Sequence, residues 1–247
     1  MVIMKECFLS IIIPAYNEED RILPTLESVC AFLSKQEYHS ELIVVDDGSV
    51  DNTIKKINEF SHANKSGIIL LKNKKNKGKG YSVKRGMLAA NGEYVFFTDA
   101  DLSTPIEEID KCLPYLKTEG YDVIIGSRSI FGADIIIHQP WYREKMGKIF
   151  NCIIRWLLMG GVVDTQCGFK GFKRDAVRKV FEKCRITGFA FDVEALYLSN
   201  KFHFKMKEIP IKWRNSTLSK VSPVRHSLQM LKDIIVIKIN DLKGYYG

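Results

Sequence analysis

No stretch of this chain stays apolar for the roughly 20 residues that a bilayer-spanning helix requires. The longest candidate, 153–163, is interrupted by Arg155 and by the Gly160-Gly161 pair. A signal-peptide pattern is also missing, because the apolar run at 8–13 is too short for an h-region and leads straight into patterned sequence. Cys7, Cys30, Cys112, Cys152, Cys167 and Cys184 include no C-x-x-C pair and no zinc-ligand spacing. They read as buried thiols of a reducing compartment, not as a disulfide frame. No repeat, low-complexity tract or linker divides the chain, and no P-loop spacing supports ATP hydrolysis. The expectation is one cytoplasmic domain, soluble or peripheral on a membrane, with no signal peptide or transmembrane helix.

What is present is ordinary globular material. The 247 residues suffice for one large domain with a substantial core. Apolar residues at 46% and charged residues at 27% argue against disorder. The net charge of +8 favours anionic partners: phosphorylated substrates, nucleic acid or an anionic membrane face. A nucleic-acid-binding module would interleave basic residues with exposed aromatics, and the lysine-rich stretch 72–79 contains no aromatic. Nucleic acid is therefore not an expected partner.

Short apolar runs at 9–13, 42–45, 68–71, 94–98 and 123–125 read as buried strands. Helical spacing marks 21–34, a segment carrying Ile54, Ile57 and Phe60 behind a cap at Asp51 or Asn52, and 81–90. This alternation predicts an α/β fold, with a mainly parallel central sheet covered by helices on both faces. Ligands of such sheets bind beyond the carboxyl ends of the strands. The polar motifs 14–18, 46–47, 99–101 and 126–128 all fall there. The second half is less regular. It suggests a helix over 144–158, a partly alternating strand within 202–211 that closes the sheet, and an amphipathic helix over 224–242. In that last helix Val224, Leu228, Leu231, Ile235, Ile239 and Leu242 fall at steps of three or four.

Asp99-Ala100-Asp101 places two carboxylates where a buried strand stops, and desolvating both is costly unless a cation joins them. Oxygen ligands of this kind suit Mg²⁺ or Mn²⁺ bridging to substrate phosphates. Asp101 or Ser103 can equally cap a helix opened by Pro105. Asp46-Asp47-Gly48 reads by itself as a turn. Lys72 to Lys75 read as a solvated loop, whereas Lys79 stands between Gly78 and Gly80, which permit close backbone approach. Arg128 and Arg143 are either phosphate clamps or surface arginines, and 138–143 reads as a loop over the site. Asp192 and Glu194, two apart on a helix, should not share a face, so one of them is expected to point inward. Asp192 is a base, or else a structural or orienting group. Asp164 and Gln166 belong to the site or merely to a turn joining two helices.

In order along the chain, Leu9-Ser-Ile-Ile-Ile-Pro-Ala-Tyr-Asn-Glu18, Val44-Val-Asp-Asp-Gly-Ser49, Asn76-Lys-Gly-Lys-Gly80 and Thr98-Asp-Ala-Asp101 resemble the family-2 inverting glycosyltransferases with the A-type nucleotide-diphospho-sugar fold. Asp99-Ala-Asp-Leu-Ser-Thr-Pro105, Gly126-Ser-Arg128, Asp164-Thr-Gln-Cys-Gly-Phe-Lys170 and Phe189-Ala-Phe-Asp-Val-Glu194 look like the dolichyl-phosphate β-glucosyltransferase branch of polyprenyl-phosphate glycosyltransferases. The related mannosyl-phosphate synthases share the plan but differ after the D-x-D.

The resemblance implies UDP-glucose as donor, a dolichyl or polyprenyl phosphate as acceptor, and a β-linked product. It implies Mg²⁺ or Mn²⁺ on Asp99 and Asp101. Pro14, Tyr16, Glu18, Asp46, Asp47, Lys79, Asp99 and Asp101 would bind the nucleotide sugar. Arg128 and Arg143 would meet the acceptor phosphate, and Asp101, Arg128 and Asp192 would be the catalytic set. The donor part would span 1–130, the acceptor side 131–222 and the C-terminal helix 223–247. GDP-mannose as donor, or a saccharide hydroxyl as acceptor, are the alternatives within the class. Eukaryotic members of the branch commonly carry an N-terminal membrane anchor, and this sequence departs from that pattern by beginning almost directly at its first expected strand. A membrane surface is therefore a candidate partner for the helices at 143–158 and 224–242, with Trp141, Tyr142 and Trp156 at headgroup depth. The alternative is that each apolar stripe packs on the sheet.

Overall fold

The computed structural model describes residues 6–137, 147, 152, 154, 157–158, 160–215 and 223–247, with side chains from 228 onward in the last stretch. The first half supplies four parallel strands: β1 (Leu9–Ala15), β2 (Ser40–Asp46), β3 (Ile69–Lys72) and β4 (Tyr94–Phe97). β1 pairs with β2 from Leu9 opposite Ser40 to Ala15 opposite Asp46, and with β4 on its other side. The returning helices are α1 (Ile22–Leu33), α2 (Thr53–Asn64) and α3 (Lys79–Ala89). Next come α4 (Glu108–Lys117), β5 (Val123–Ser127), β6 (Asp134–Ile137) and β7 (Lys170–Lys173). The chain continues through α5 (Arg174–Lys183), α6 (Phe191–Lys201), β8 (Met206–Pro210), β9 (Lys212–Arg214) and α7 (Pro223–Leu242).

Ile11 and Ile13 face one side of the sheet with Leu42, Val44 and Phe96, while Ile12 faces the other with Ile43, Val45 and Phe97. Both sets are buried. A sheet covered on both faces explains why these strands read as unbroken apolar runs.

The sheet order is β3-β2-β1-β4-β7-β5-β8, with β6 and β9 as a separate parallel pair. β7 runs antiparallel between β4 and β5 and separates them. It left no periodic signal: four residues, lysine at each end and a glycine between. Gly171 is required there, since a Cβ would stand 2.4 Å from the Phe96 ring. Only part of 202–211 is strand, and β8 closes the edge beside β5 as expected. α4 starts at Glu108 rather than at Pro105.

The loop at 138–143, most of the helix expected over 144–158, and its membrane-facing candidates Trp141, Tyr142 and Trp156 lie outside the described residues. Ile154 and Leu158 are in the core. All six cysteines are free; Cys112, Cys167 and Cys184 are buried, but Cys7 and Cys30 are half-buried and Cys152 is exposed. Among the described residues no helix is long and apolar enough to cross a membrane.

Candidate active site

β1, β2 and β4 end at one rim, where a cavity of about 410 Å³ opens, within the usual size of small-molecule sites. Pro14 enters it from the end of β1 and Tyr16 and Glu18 just after, Asp47 after β2, and Asp99 to Asp101 after β4. Lys79 enters from the start of α3, and Arg21, Gly188 and Phe189 complete much of the wall.

Lys79 Nζ lies 2.6 Å from Asp99 Oδ1. The contact is ionic and not a directed hydrogen bond, because that buried oxygen has no aligned donor. Burial by itself would lower the Lys79 ammonium, but Asp99, Asp192 and Asp101 together raise it above the ordinary lysine value. It therefore stays charged. Arg21 Nη1 lies 3.3 Å from Asp101 Oδ2, while its Nε and Nη2 hold both oxygens of Glu18. Each carboxylate of the D-x-D thus faces one cation. Arg21 was missed from sequence, although its i,i+3 spacing from Glu18 is a readable pairing signal.

Asp101 also holds its own turn, Oδ1 accepting the Ser103 N–H at 3.0 Å. Between them Leu102 sits in the left-handed region at φ +44, which costs an L-residue about 1–2 kcal/mol. Its side chain is buried, so packing holds the strained turn that presents Asp101. Asp99 is held from the other side by Gly168, where a Cβ would stand 2.1 Å from Asp99 Oδ2. Because β7 is antiparallel, its starting end reaches the rim and brings Cys167 and Gly168 with it.

The Asp46-Asp47 pair splits. Asp46 is fully buried and does not line the cavity, whereas the resemblance implies that it binds the nucleotide sugar. Its Oδ2 accepts the Gly48 and Ser49 N–H groups, as the turn reading requires, and its Oδ1 is unpartnered. Asp47 does line the cavity, but its oxygens are taken by Asn73 Nδ2 and the Lys77 and Gly78 N–H groups. The glycines beside Lys79 serve the chain itself. Gly78, at φ +99, would place a Cβ 2.3 Å from the Thr187 oxygen, and the Gly80 N–H donates to that same oxygen. This contact draws Gly188 and Phe189 to the cavity.

Asp192 and Glu194 are both buried, which corrects the expectation that only one would point inward; α6 is enclosed all round from Phe191 to Ser199. Glu194 accepts the Arg185 and Ile186 N–H groups and the Tyr246 hydroxyl, a structural role. Asp192 pairs with fully buried Lys170 at 3.0 Å, and Lys170 also donates to the Cys167 carbonyl. Burial raises the Asp192 carboxyl above its ordinary value, with Lys170 and Lys79 holding it back in part.

Arg128 is gripped by Asp164: Nε to Oδ2 and Nη2 to Oδ1, each at 2.8 Å, leaving Nη1 outside the fork. Its guanidinium lies over the Trp213 ring at 5.4 Å. Burial would raise the Asp164 carboxyl, but the Arg128 charge and hydrogen bonds hold it below its ordinary value. Glu208 accepts the Val163 and Asp164 N–H groups, so this segment is an anchored support and not a plain turn. Neither Arg128 nor Asp192 lines the cavity. Arg143 lies outside the described residues.

A doubly covered, mainly parallel sheet with a D-x-D at its rim is the architecture of an A-type glycosyltransferase. The chain belongs to glycosyl transferase family 2, whose family model matches residues 10–181. It is 34% identical over 249 residues to the dolichyl-phosphate beta-glucosyltransferase of Dictyostelium discoideum, covering 97% of this chain and 76% of that one. It is 35% identical over 259 residues to the enzyme of that name in Saccharomyces cerevisiae (98% and 77%), and 33% over 249 residues to that in Homo sapiens (96% and 76%). Among solved structures, glucosyl-3-phosphoglycerate synthase from Mycobacterium tuberculosis in complex with Mn²⁺, uridine-diphosphate and phosphoglyceric acid has the same fold. The TM-score is 0.70 at 19% identity, over 98% of this chain and 79% of that one. Another structure of that enzyme contains Mg²⁺ and uridine-diphosphate. The family and fold class expected from the motifs are both borne out.

The residues at the rim fit a divalent ion. Asp99 and Asp101 offer oxygen only, and Asp99 Oδ1 is buried without an aligned hydrogen bond. Among the described residues no group of three or more His, Cys, Asp or Glu converges as ligands. Such an ion would complete its shell with water and substrate phosphate, as Mg²⁺ and Mn²⁺ sites do.

Proposed function

We propose that this protein transfers glucose from UDP-glucose to dolichyl or another polyprenyl phosphate, inverting the anomeric carbon. The observation that carries this reading is identity of about one third, over nearly the whole chain, with dolichyl-phosphate beta-glucosyltransferases. The rim geometry supports its chemical part.

The acceptor phosphate oxygen attacks the anomeric carbon from the face opposite UDP. The bond from that carbon to the diphosphate oxygen breaks, and its electron pair leaves with UDP, so an α-linked donor gives a β-linked product. Pro14, Tyr16 and Glu18 wall the donor, while Asp46 and Asp47 hold the turn and loop beneath it. Asp99 and Asp101 would hold Mg²⁺ or Mn²⁺, and the ion would supply positive charge to offset that of the diphosphate. Lys79 and Arg21 add fixed positive charge in the same cavity. Arg128, through Nη1, and Arg143 receive the acceptor phosphate.

A phosphate acceptor is largely ionised near neutral pH. Asp192, tied to Lys170, therefore positions the site and need not remove a proton. The reading places the enzyme on a cytoplasmic membrane face. A prenyl chain resides in the bilayer, and free thiols suit a reducing compartment.

The test is a donor screen with radiolabelled UDP-glucose and GDP-mannose and a short polyprenyl phosphate, followed by extraction into organic solvent. Label from UDP-glucose should enter the organic phase. Label from GDP-mannose instead would make the protein a mannosyltransferase. Label left in water with every donor would remove the lipid-phosphate acceptor and leave a saccharide hydroxyl.

A further inference from the structure

Helix α7 has two apolar faces. Met230, Ile234 and Ile237 form the inner one and are buried in the core. Leu228, Ile235, Ile239 and Leu242 lie on the opposite side and are 58%, 57%, 42% and 85% exposed. The outer stripe is the one that the sequence spacing singled out, so the alternative that it packs on the sheet fails for these four residues. At 100° per residue, Lys232 and Lys243 border it on one side and Lys238 on the other, all three exposed. Both carboxylates of the helix turn away from it. Asp233 is 9% exposed and accepts from Gln229, and Asp241 is held by Tyr197 and Lys201.

We propose that this outer face is a docking surface for an anionic lipid bilayer, with α7 lying in the plane of the interface. An apolar stripe edged by lysines and free of carboxylates matches acyl chains below and lipid phosphates beside it. A second copy of the chain fits less well, because a two-fold pairing would set the lysines against their own kind with no carboxylate to meet them. The inner face of α7 reaches the site: a Cβ on Gly188, a cavity-lining residue, would stand 3.4 Å from Asp233 Oδ2. A bilayer on the outer face then lies about one helix diameter, ~10 Å, from the cavity wall. The value of that proximity for a lipid-phosphate acceptor rests on the function proposed above; the docking itself does not.

The experiment is co-sedimentation of the full chain with vesicles of phosphatidylcholine, with and without phosphatidylserine and containing no polyprenyl phosphate. The protein should bind the phosphatidylserine vesicles and release as salt rises. The variant Ile235→Ser/Ile239→Ser/Leu242→Ser should bind about tenfold or more weakly, with unchanged thermal stability and unchanged turnover of detergent-dispersed acceptor. Lys232→Gln/Lys238→Gln/Lys243→Gln should lose about fivefold per lysine and most of the salt dependence. Wild-type protein left in the supernatant with both vesicles, or full binding by both variants, overturns the proposal. So does a wild-type dimer in sedimentation velocity that the serine variant dissolves, with no vesicle binding by either. Because the vesicles lack acceptor, such a failure leaves the donor-screen result standing.

Discussion

Replacing Gly168 by alanine adds a methyl carbon that would stand 2.1 Å from Asp99 Oδ2, 2.5 Å from Cγ and 2.7 Å from Oδ1. Ordinary contact is about 3.5 Å, so the Asp99 carboxylate must withdraw by on the order of 1 Å. Gly168 has no left-handed φ, so alanine suits the backbone and the clash is the whole perturbation. Overpacking of this kind costs about 1–3 kcal/mol of stability, or roughly 2–4 °C in Tm per kcal/mol for a chain of this size. Displacing a positioned group by about 1 Å costs on the order of 100-fold in rate. Gly168→Ala should therefore remain folded but lose about 100-fold in turnover of UDP-glucose with polyprenyl phosphate. Gly171→Ala is the contrast: its Cβ meets the Phe96 ring at 2.4 Å, in the core and away from the rim. It should lose stability while its folded fraction keeps its turnover. If Gly168→Ala turns over within about threefold of wild type, Asp99 is not held in place from this side and the reasoning fails.

Chelation should abolish transfer, and Mg²⁺ or Mn²⁺ should restore it; Asp101→Ala should keep its circular dichroism, lose about 2–4 °C of Tm with the acceptor of the Ser103 N–H, and gain nothing from added metal. Asp164→Asn leaves the Arg128 guanidinium, 25% exposed, facing a neutral amide and should cost about 1–3 kcal/mol in urea unfolding at neutral pH. The native Asp164 carboxyl sits below its unfolded value, so the pair's contribution is present above about pH 3.9 and is lost as pH falls through the lower native value. Wild-type Tm should therefore fall more steeply in that acid window than that of the variant. Asp192→Asn should lower turnover without removing a limb of the pH–rate profile. A loss of about 100-fold or more together with the acidic limb would make it a general base instead.

The local pattern carried a large part of this protein. Ile11 to Ile13 and Leu42 to Val45 read as buried strands because both faces of the sheet are covered. Asp47, Asp99 and Asp101 were legible as rim residues because parallel strands deliver their ends together, whereas Lys79, at the start of α3, was assigned by its flanking glycines and the resemblance. Arg21 was legible only as half of a helical ion pair with Glu18, since its second partner, Asp101, lies 80 residues away.

The amino-acid sequence by itself determined the family, the sheet class and the acidic pair at the end of β4, because these rest on short-range spacing and local periodicity. Tertiary structure alone decided that β7 inserts backwards between β4 and β5. That pairing puts Gly168 against Asp99 and Asp164 against Arg128, and four residues with buried Lys170 among them show no period that could announce it. It also decided which stripe of α7 is buried. Two apolar faces on one helix look alike along the chain, and only the packing of Met230, Ile234 and Ile237 into the core leaves Leu228, Ile235, Ile239 and Leu242 facing outward.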